Sequence, residues 1–301
     1  MINRLAIIGV GLIGGSLARA LRDAGHVGEI VGHGRGIENL QRAVALGVID
    51  RVETTLAAAV RAADMVVLAT PVGGMQKILQ AIAPYLAPAA VVTDVGSVKG
   101  TIADAARKLL GKKFPDFVPG HPIAGTEKSG VEASFASLYT GRRVVLTPLP
   151  ETNAEAVQRV RAMWQAAGAE VVTMSVEHHD TVLAATSHLP HLLAYTLVDM
   201  LARQDDSREI FAYAAGGFRD FTRIASSDPV MWRDIGLANR DAIVRLLKQY
   251  RAEIASLIKA VDGGDGEMLH TMFARAKAAR DALVAIDQKP ALNPVDGKEE
   301  P

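Results

Sequence analysis

The side chains best suited to proton transfer are a histidine and a serine that each follow a short apolar run. His121 comes directly after DFVPG, and Ser97 lies in DVGSVKG after the run AVVT. Histidine titrates near neutral pH, which makes His121 the stronger candidate for taking a proton from a substrate hydroxyl. Ser97 could bind that substrate or the imidazole, or it could be an ordinary helix N-cap. The pair would support oxidation of an alcohol, provided that a hydride acceptor binds nearby.

A second group of candidates lies in the segment SHLPH, where His188 and His191 are three residues apart. On a helix the two imidazoles would share one face, a spacing compatible with a metal pair. A metal site needs a third ligand, however, and Pro190 disturbs the helix between them. We therefore expect no metal, and we interpret the two histidines as substrate contacts or hydrogen-bonded core residues. The segment EHHD at residues 177–180 opens a predicted helix and is expected to face solvent.

Two arginines in the segment GGFRDFTR could bind an acidic substrate. Arg219 and Arg223 are four residues apart and would lie on one face of a helix. A guanidinium in a cleft would suit a carboxylate, whereas pairing with Asp220, Asp228 or Asp234 would make it structural. Both alternatives stay open at the level of sequence.

The segment GVGLIG after the apolar run LAII has the spacing of a dinucleotide-binding loop. Gly9 permits a tight turn, Gly11 lets the backbone approach a pyrophosphate, and Gly14 allows close packing of the following helix. The N-terminus of that helix attracts the negative charge. The alternative is a merely structural glycine turn. The residues assigned to the cofactor site are Gly9, Gly11, Leu12, Ile13, Gly14 and, after the run DMVVLA, Thr70 and Pro71.

The second predicted strand bears on the choice between the two nicotinamide cofactors. NAD is usually held by a carboxylate at the end of this strand, but here the run EIVG continues into His33, Gly34 and Arg35. Glu29 stands at the start of the strand, where it is badly placed. Arg35, helped by His33, could instead pair with the 2′-phosphate of NADP, because a guanidinium matches a phosphate with two hydrogen bonds. We expect NADP in preference to NAD; the alternative is that Arg35 is a solvated residue starting the next helix.

These candidates are carried by two regions with different hydrophobic periodicities. Up to residue 174, short β-branched runs alternate with segments that are apolar at spacings of three and four residues. Strands that are apolar on both sides and separated by helices indicate a parallel sheet covered on both faces, an α/β doubly wound domain of the Rossmann type. The predicted strands are LAIIG, EIVGH, DMVVLAT, AVVTDV, DFVPG, RRVVLTP and EVVTM.

The strand signals stop after residue 174, and residues 175–287 are predicted to form an all-α domain. Asp228 is a plausible N-cap with Pro229 at the first helical position. The apolar spacing over residues 229–261 predicts one long helix, and such helices could pack against a second copy of the chain. Residues 288–301 are rich in proline and polar side chains and are predicted to be a disordered tail.

The composition excludes several other classes of protein. The 301 residues contain no cysteine, which excludes disulfides, thiol redox chemistry, thiolate metal sites and a cysteine nucleophile. The 33 basic and 33 acidic residues balance, so no overall field favours nucleic acid or an anionic membrane as partner. Glycine interrupts the apolar N-terminal run, which fits a buried strand and turn better than a signal peptide. No apolar run approaches the ~18 residues of a membrane helix, so a cytoplasmic location is expected.

Several of these segments together resemble the prephenate dehydrogenase family, which also includes arogenate and cyclohexadienyl dehydrogenases. The segments are GVGLIGGSLA, DVGSVKG, GHPIAGTEKSG, the TP after RRVVL, SHLPH and GGFRDFTRIASSDPVMWRDI, within residues 5–260. The resemblance implies a Rossmann domain joined to a helical dimerisation domain, as in 6-phosphogluconate dehydrogenase, with the active site in the cleft between them. It also implies a homodimer that oxidatively decarboxylates prephenate or arogenate in tyrosine biosynthesis, with hydride transfer to NADP or NAD.

The resemblance further implies a role for individual residues. His121 matches the histidine of the HPxAG motif and is the implied acceptor for the substrate's ring hydroxyl, supported by Ser97 of the GSVK motif. Arg223, at the end of the DFTR segment, is the implied ligand of a substrate carboxylate. The remaining residues assigned to the substrate are His191 and His188 of SHLPH and Glu127 of GTEKSG, the last at a position that helps to gate the cleft.

Two other functions remain as alternatives. A 3-hydroxy acid dehydrogenase of the 6-phosphogluconate type would use a lysine on the interdomain helix, but residues 178–199 contain none. A non-catalytic NADP-binding regulator would bind the dinucleotide without turnover, and the intact set of His121, Ser97 and Arg223 argues against it. Prephenate and arogenate, which differ only in a keto versus an amino group, both remain possible substrates.

Overall fold

The computed structural model describes residues 1–126 and 128–287. Glu127 and the predicted tail at residues 288–301 therefore lie outside the described residues. By compactness the chain divides into one unit spanning Met1–Leu246 and a second that starts at Leu247. Within the described ranges, no helix is long and apolar enough to cross a membrane.

A six-stranded parallel sheet forms the centre of the α/β part. Its strands are β1 (Ile2–Ile8), β2 (Val27–His33), β3 (Arg51–Val52), β4 (Met65–Leu68), β5 (Val91–Asp94) and β6 (Phe117–Val118), in the order β3-β2-β1-β4-β5-β6. Every pairing in this sheet is parallel. The strand order reverses between β1 and β4, and doubly wound folds bind ligands at the carboxyl ends of the strands beside such a point. The predicted Rossmann-type sheet is confirmed.

Helices cover both faces of this sheet. They are α1 (Leu12–Asp23), α2 (Ile37–Ala45), α3 (Leu56–Val60), α4 (Val72–Ile82), α5 (Gly100–Leu109) and α6 (Ala154–Ala166), with 3-10 turns at Ala83–Tyr85, Gly111–Asp116 and Ala136–Tyr139. Side chains alternate along β1, so Leu5 and Ile7 join one apolar core with Trp164. Ala6 and Ile8 join a second core on the opposite face. Burial on both faces explains why the strands appear in the sequence as continuous apolar runs.

The last two predicted strands belong to a separate three-stranded sheet, which differs from the prediction of one parallel sheet. Its strands are β7 (Gly120–Pro122), β8 (Arg143–Leu146) and β9 (Glu170–Thr173), with β7 antiparallel to β8 and β8 parallel to β9. The chain leaves the large sheet at Pro119, which has no N–H to donate to a neighbouring strand. The Pro119 carbonyl instead accepts the Thr147 N–H at 3.0 Å.

The described chain after β9 is helical. Its helices are α7 (Val176–Leu183), α8 (Leu189–Ala202), α9 (Ser207–Ala212), α10 (Gly216–Thr222), α11 (Pro229–Ala238), α12 (Arg240–Asp262) and α13 (Gly266–Asp287). Within the first unit, α7 packs against α5, and α11 packs against α4. The predicted domain boundary after residue 174 stays a prediction.

A π-helical turn at Ala184–His188 joins α7 to α8. Pro190 lies in the first turn of α8 and has no N–H to donate, so the regular hydrogen-bond ladder is interrupted at this point. A 3-10 turn at Arg223–Ser226 follows α10 in a similar way. The predicted N-cap of α11 is confirmed, because the Asp228 carboxylate accepts the Met231 N–H at 2.9 Å.

The prediction of one long helix over residues 229–261 is wrong. α11 ends at Ala238 and α12 begins at Arg240, with Asn239 between them at φ −109° and ψ 32°. Asparagine side chains compete with helical structure by hydrogen-bonding to backbone groups. The buried Asn239 Nδ2 donates to the Asp180 carbonyl at 2.8 Å and lies 3.1 Å from His188 Nδ1. The helix is therefore interrupted where one amide ties α7 and the π turn together.

Replacing this amide should destabilise the first unit. Asn239→Ala is expected to lower the free energy of unfolding by about 1–3 kcal/mol, because a buried carbonyl and a buried imidazole nitrogen lose their donor. Asn3→Ala is the matched control, since Asn3 is exposed, and it should change that free energy by less than about 0.5 kcal/mol. Urea unfolding followed by circular dichroism measures both. Equal midpoints for the two variants would contradict the role given to Asn239.

Candidate active site

The glycine loop after β1 combines two tightly packed positions with one open position. Gly9 has a φ of +105°, and a Cβ there would lie 2.4 Å from the Ala69 carbonyl oxygen. A Cβ on Gly14 would lie 2.4 Å from the Gly9 carbonyl oxygen. A Cβ on Gly11, in contrast, would meet no described atom within 4 Å, and no described side chain caps the N-terminus of α1. The open glycine and the uncapped helix N-terminus fit the pyrophosphate of a dinucleotide.

The other cofactor candidates border the same loop. Thr70 follows β4, and its Cγ2 would lie 3.0 Å from a Cβ on Gly9. Pro71 is the residue directly before α4. The Gly9 N–H donates to the His33 carbonyl at 2.8 Å, which ties the end of β2 to the loop. The structure thus brings the glycine loop, Thr70, Pro71 and His33 together at the carboxyl edge of the sheet.

Charged side chains of β2, β3 and the loop after β2 bear on the choice of cofactor. Glu29 pairs with Arg51 at 2.7 Å, away from the carboxyl end of β2. Arg35 is exposed in the loop between β2 and α2, two residues after His33. The end of β2 therefore presents a histidine and, close by, an arginine.

His121 lies in β7 and is only 8% exposed. Its Nδ1 lies 2.9 Å from Nε2 of His179, with the planes of the two rings at 68°. This contact leaves Nε2 of His121 as the nitrogen that can face a substrate. Burial lowers the pKa of His121 well below its usual 6.5, and the charges of Lys99, His179 and His188 act in the same direction. The imidazole is therefore neutral at neutral pH, which is the form that accepts a proton.

A buried ion pair fixes the strand that carries His121. Lys99 and Asp94 are fully buried and paired, and Lys99 Nζ also donates to the Gly120 carbonyl at 2.6 Å. Asp94 in turn accepts the N–H of Gly120 at 3.2 Å and that of Gly96 at 2.8 Å. Burial lowers the pKa of Lys99, while its attraction to Asp94 acts in the opposite direction. The N–H and the carbonyl of Gly120, the residue before His121, are thereby held by Asp94 at the end of β5 and by Lys99 at the N-cap of α5.

The expectation that residues 177–180 face solvent is wrong for His179 and Asp180. His179 is fully buried, and its Nδ1 lies 2.8 Å from Asp180 Oδ1. Asp180 also accepts the N–H groups of Lys99 and Gly100, each at 2.8 Å, and so caps the N-terminus of α5 from another helix. Burial acts to raise the pKa of Asp180, but the hydrogen bonds from His179 and from the two N–H groups outweigh it and hold that pKa below its usual value.

The hydrophobic spacing of α7 contained the signal for the burial of His179. The buried residues of this helix are Val176, His179 and Leu183, at spacings of three and four residues. Such residues share one helical face, so His179 belongs to the apolar face despite its polar neighbours. His178 is exposed, as expected.

Ser97 lies half-buried in the loop between β5 and α5. The alternative that it is an ordinary N-cap is wrong, because the N-cap residue of α5 is Lys99 and the Asp180 carboxylate binds the first N–H groups. The backbone of Ser97 lies next to His188. Support of His121 by the Ser97 hydroxyl stays a prediction.

The two histidines of SHLPH lie in different environments. His188 is 1% exposed, and burial lowers its pKa to about 4. His191 is half-buried and stacks on Trp232, with ring centroids 3.8 Å apart and planes at 20°. Burial lowers the pKa of His191, and the positive charge of Arg223 adds to this effect, against the hydrogen bond to the Ser187 carbonyl. The structure thus brings His191 and Arg223 together, and it places His188 in the buried network.

The remaining predicted site residues are placed as follows. Arg219 lies in α10 and Arg223 in the 3-10 turn after it, so the two do not share one uninterrupted α-helix. Glu127, the predicted gate, lies outside the described residues. Among residues 1–126 and 128–287, no group of three or more histidine, aspartate or glutamate side chains is arranged to hold a metal ion.

Fold and site together define a class of protein. A doubly wound sheet with an open glycine loop, and a buried neutral histidine at the same edge, is the architecture of an NAD(P)-dependent oxidoreductase. The family model for the nucleotide-binding domain of prephenate dehydrogenase matches residues 17–173, and the model for its dimerization domain matches residues 175–275. The chain belongs to the prephenate dehydrogenase family.

Relatives extend the similarity over most of the chain. The cyclohexadienyl dehydrogenase of Zymomonas mobilis is 39% identical, with 93% of this chain and 96% of the relative covered. The prephenate dehydrogenase of Bacillus subtilis is 38% identical, with 97% of this chain and 79% of the relative covered. The crystal structure of Aquifex aeolicus prephenate dehydrogenase in complex with hydroxyphenyl propionate and NAD+ has a TM-score of 0.87 at 39% identity, covering 94% of this chain and 99% of that one.

Substitution of two loop glycines should separate ligand binding from stability. Gly11→Ala is expected to fold normally, because its Cβ meets no described atom, and to raise the dissociation constant for NAD(P) about tenfold or more by blocking the pyrophosphate. Gly14→Ala is the contrasting variant, and it should lower the melting temperature because its Cβ would overlap the Gly9 carbonyl. Calorimetry and fluorescence titration measure the two effects. Unchanged affinity in Gly11→Ala would exclude the pyrophosphate from this position.

Proposed function

We propose that this protein catalyses the oxidative decarboxylation of prephenate, arogenate or both, with hydride transfer to NAD(P)+. The products are 4-hydroxyphenylpyruvate and tyrosine, respectively. The observation that carries the proposal is the buried, neutral His121. Its Nδ1 contacts His179, so its Nε2 is the nitrogen that can accept a proton from the substrate. Relatives named for prephenate, cyclohexadienyl and arogenate substrates support the same choice.

The proposed chemistry needs one proton acceptor and one hydride acceptor. Prephenate carries a hydroxyl and a hydrogen on C4 and a carboxylate across the ring on C1, and bound NAD(P)+ supplies the hydride acceptor. His121 draws off the hydroxyl proton as the C4 hydride leaves. The bond from C1 to its carboxylate breaks, CO2 departs, and the bonding electrons make the ring an aromatic phenolate that regains the proton from His121. Because aromatisation makes the step effectively irreversible, the protein mainly positions the substrate and controls charge.

Arg223 is proposed to bind a substrate carboxylate, with His191 beside it. The positive charge of Arg223 acts on His191, whose ring is held by stacking on Trp232 and by its Nδ1 at 2.8 Å from the Ser187 carbonyl. A guanidinium suits a carboxylate because it can donate two parallel hydrogen bonds to it. Neutral His191 donates its Nδ1–H to the Ser187 carbonyl, so it presents an acceptor, Nε2, beside Arg223. The further candidate substrate contacts are Ser97, His188 and Glu127.

NADP is the proposed preferred cofactor. Arg35 is exposed in the loop after β2, where a 2′-phosphate would lie in this type of fold. Glu29, the acidic residue of β2, is already paired with Arg4 and Arg51. β2 itself ends without a carboxylate, and the Glu53 carboxylate beside its end is paired with Arg51, so Arg35 favours a phosphate over a ribose hydroxyl.

A homodimer is the proposed assembly, and the cytoplasm is the proposed location. The match to a dimerization domain supports the first proposal. So do large apolar side chains that are exposed on α11, α12 and α13, among them Leu237, Ile258, Val261 and Phe273. Burial of such side chains between two copies is a common use of exposed apolar surface.

The test of the activity is a matrix of both substrates against both cofactors, followed by the absorbance of the reduced nicotinamide. We expect turnover with at least one substrate and a several-fold higher kcat/KM with NADP than with NAD. Arg35→Ala should remove that preference and leave kcat/KM with NAD within about twofold, because the guanidinium contacts only the 2′-phosphate. Dinucleotide binding without turnover in any combination would favour a non-catalytic regulator.

Removal of the proposed base should act on kcat. His121→Asn is expected to lower kcat by ~10²–10⁴, the usual contribution of a general base, while retaining dinucleotide and substrate affinity. His178→Asn is the matched control, since His178 is an exposed histidine of α7, and its kcat should stay within about twofold. Steady-state kinetics and titration of the dinucleotide provide the comparison. An unchanged kcat in His121→Asn would exclude His121 from the mechanism.

A further inference from the structure

A chain of hydrogen bonds leads from the proposed base to a carboxylate on another helix. His121 Nδ1 lies 2.9 Å from His179 Nε2, and His179 Nδ1 lies 2.8 Å from Asp180 Oδ1. His179 is fully buried and His121 is 8% exposed, so water does not compete freely for these nitrogens. The hydrogen-bond chain therefore consists of His121, His179 and Asp180.

The direction of each hydrogen bond follows from the carboxylate. An ionised carboxylate can only accept hydrogen bonds, and Asp180 accepts two backbone N–H groups, from Lys99 and Gly100, besides the imidazole. His179 must therefore carry its ring proton on Nδ1 and donate it to Asp180. A neutral imidazole has one donor and one acceptor nitrogen, so His179 Nε2 is an acceptor. The proton of His121 must then lie on Nδ1, and its Nε2 holds a lone pair.

We propose that Asp180 and His179 are positioning residues that fix the tautomer of His121, so that Nε2 is unprotonated and faces the substrate hydroxyl. The inference rests on the proposed function, because it explains how the proposed base is kept in its accepting form. Which imidazole nitrogen carries the proton is generally set by the hydrogen bond that the other nitrogen makes. Without this chain, either nitrogen of a neutral His121 could hold the proton.

Residues next to Asp180 hold this hydrogen-bond chain in one arrangement. Asn239 donates to the Asp180 backbone carbonyl at 2.8 Å, which ties α7 to the junction between α11 and α12. A Cβ on Gly100 would lie 3.0 Å from Asp180 Oδ2, so a glycine at this position permits the close approach of the carboxylate. The charged and titratable groups around His121 are Asp94 at the end of β5, Lys99 at the N-cap of α5, His179 and Asp180 on α7, and His188 in the π turn.

Nitrogen-15 NMR of the full-length, histidine-labelled protein tests the tautomers without substrate. At neutral pH we expect protonated Nδ1 and unprotonated Nε2 for both His121 and His179, with signals assigned from the spectra of His121→Asn and His179→Gln. A protonated Nε2 on His121 overturns the inference. Because this measurement needs no turnover, it separates failure of the inference from failure of the proposed activity, which the substrate matrix tests.

Two variants of His179 add a kinetic test. Glutamine can accept from His121 and donate to Asp180, so His179→Gln should keep kcat within about tenfold, whereas His179→Leu removes the acceptor and should lower kcat by about 10² or more at unchanged KM. His178→Leu on the exposed face of α7 is the matched control.

Equal kcat values for His179→Gln and His179→Leu would reduce His179 to a structural residue. A purely structural role would change melting temperature and KM, and glutamine would not restore kcat. If His179→Leu does not fold, the NMR spectrum of the unsubstituted protein still decides the question.

Discussion

The carboxylate of Asp180 is the contact on which the geometry of the site depends. It lies in the middle of α7, a helix of the α-helical part, yet it binds the N–H groups of Lys99 and Gly100 at the N-terminus of α5, which belongs to the α/β part. A helix N-terminus carries partial positive charge and unpaired donors, so a carboxylate is a favourable cap there. The adjacent His179 is consequently held against His121. One side chain thus sets the relative position of two helices and of the proposed base.

The buried ion pair of Lys99 and Asp94 also fixes the strand that carries His121. Burial of an ammonium and a carboxylate costs much of what their attraction returns, so the pair with Asp94 is weak evidence for stability. Its value is geometric, because Lys99 and Asp94 between them bind both backbone polar groups of Gly120. A buried polar network in which the members are paired favours one arrangement over alternatives. The strand β7 therefore presents His121 in a defined position.

The strand order explains how distant segments form one site. β1, β4 and β5 are neighbours in the sheet, and β7 follows directly from β6 at its edge. The segments after β1, β4 and β5 contain the glycine loop, Thr70 and Ser97, and β7 carries His121, so these residues are far apart in the sequence. Parallel strands end at the same edge of a sheet, which brings the segments that follow them to one edge. The helical part adds His179, which contacts His121, and the proposed substrate residues His191 and Arg223.

Features that depend on local sequence were predictable. The glycine spacing after an apolar strand predicts the dinucleotide loop, because the tight turn at Gly9 and the close packing at Gly14 require glycine whatever the rest of the chain does. The alternation of apolar runs and helical segments predicts the parallel sheet in the same way. The position of His121 after a strand, and the family motifs around it, were likewise visible in the sequence.

Features that depend on contacts between distant residues were decided by the tertiary structure. The apolar spacing of residues 229–261 is that of one helix, and only the two acceptors offered by α7 and the π turn explain the break at Asn239. The polar segment EHHD resembles a solvated helix start, and only the docking of α7 on α5 buries His179 and gives Asp180 its two N–H donors. Local sequence specifies which side chains are available and which backbone conformations they favour. Which of their hydrogen-bonding atoms find partners is determined when the elements pack, because those partners come from elsewhere in the chain.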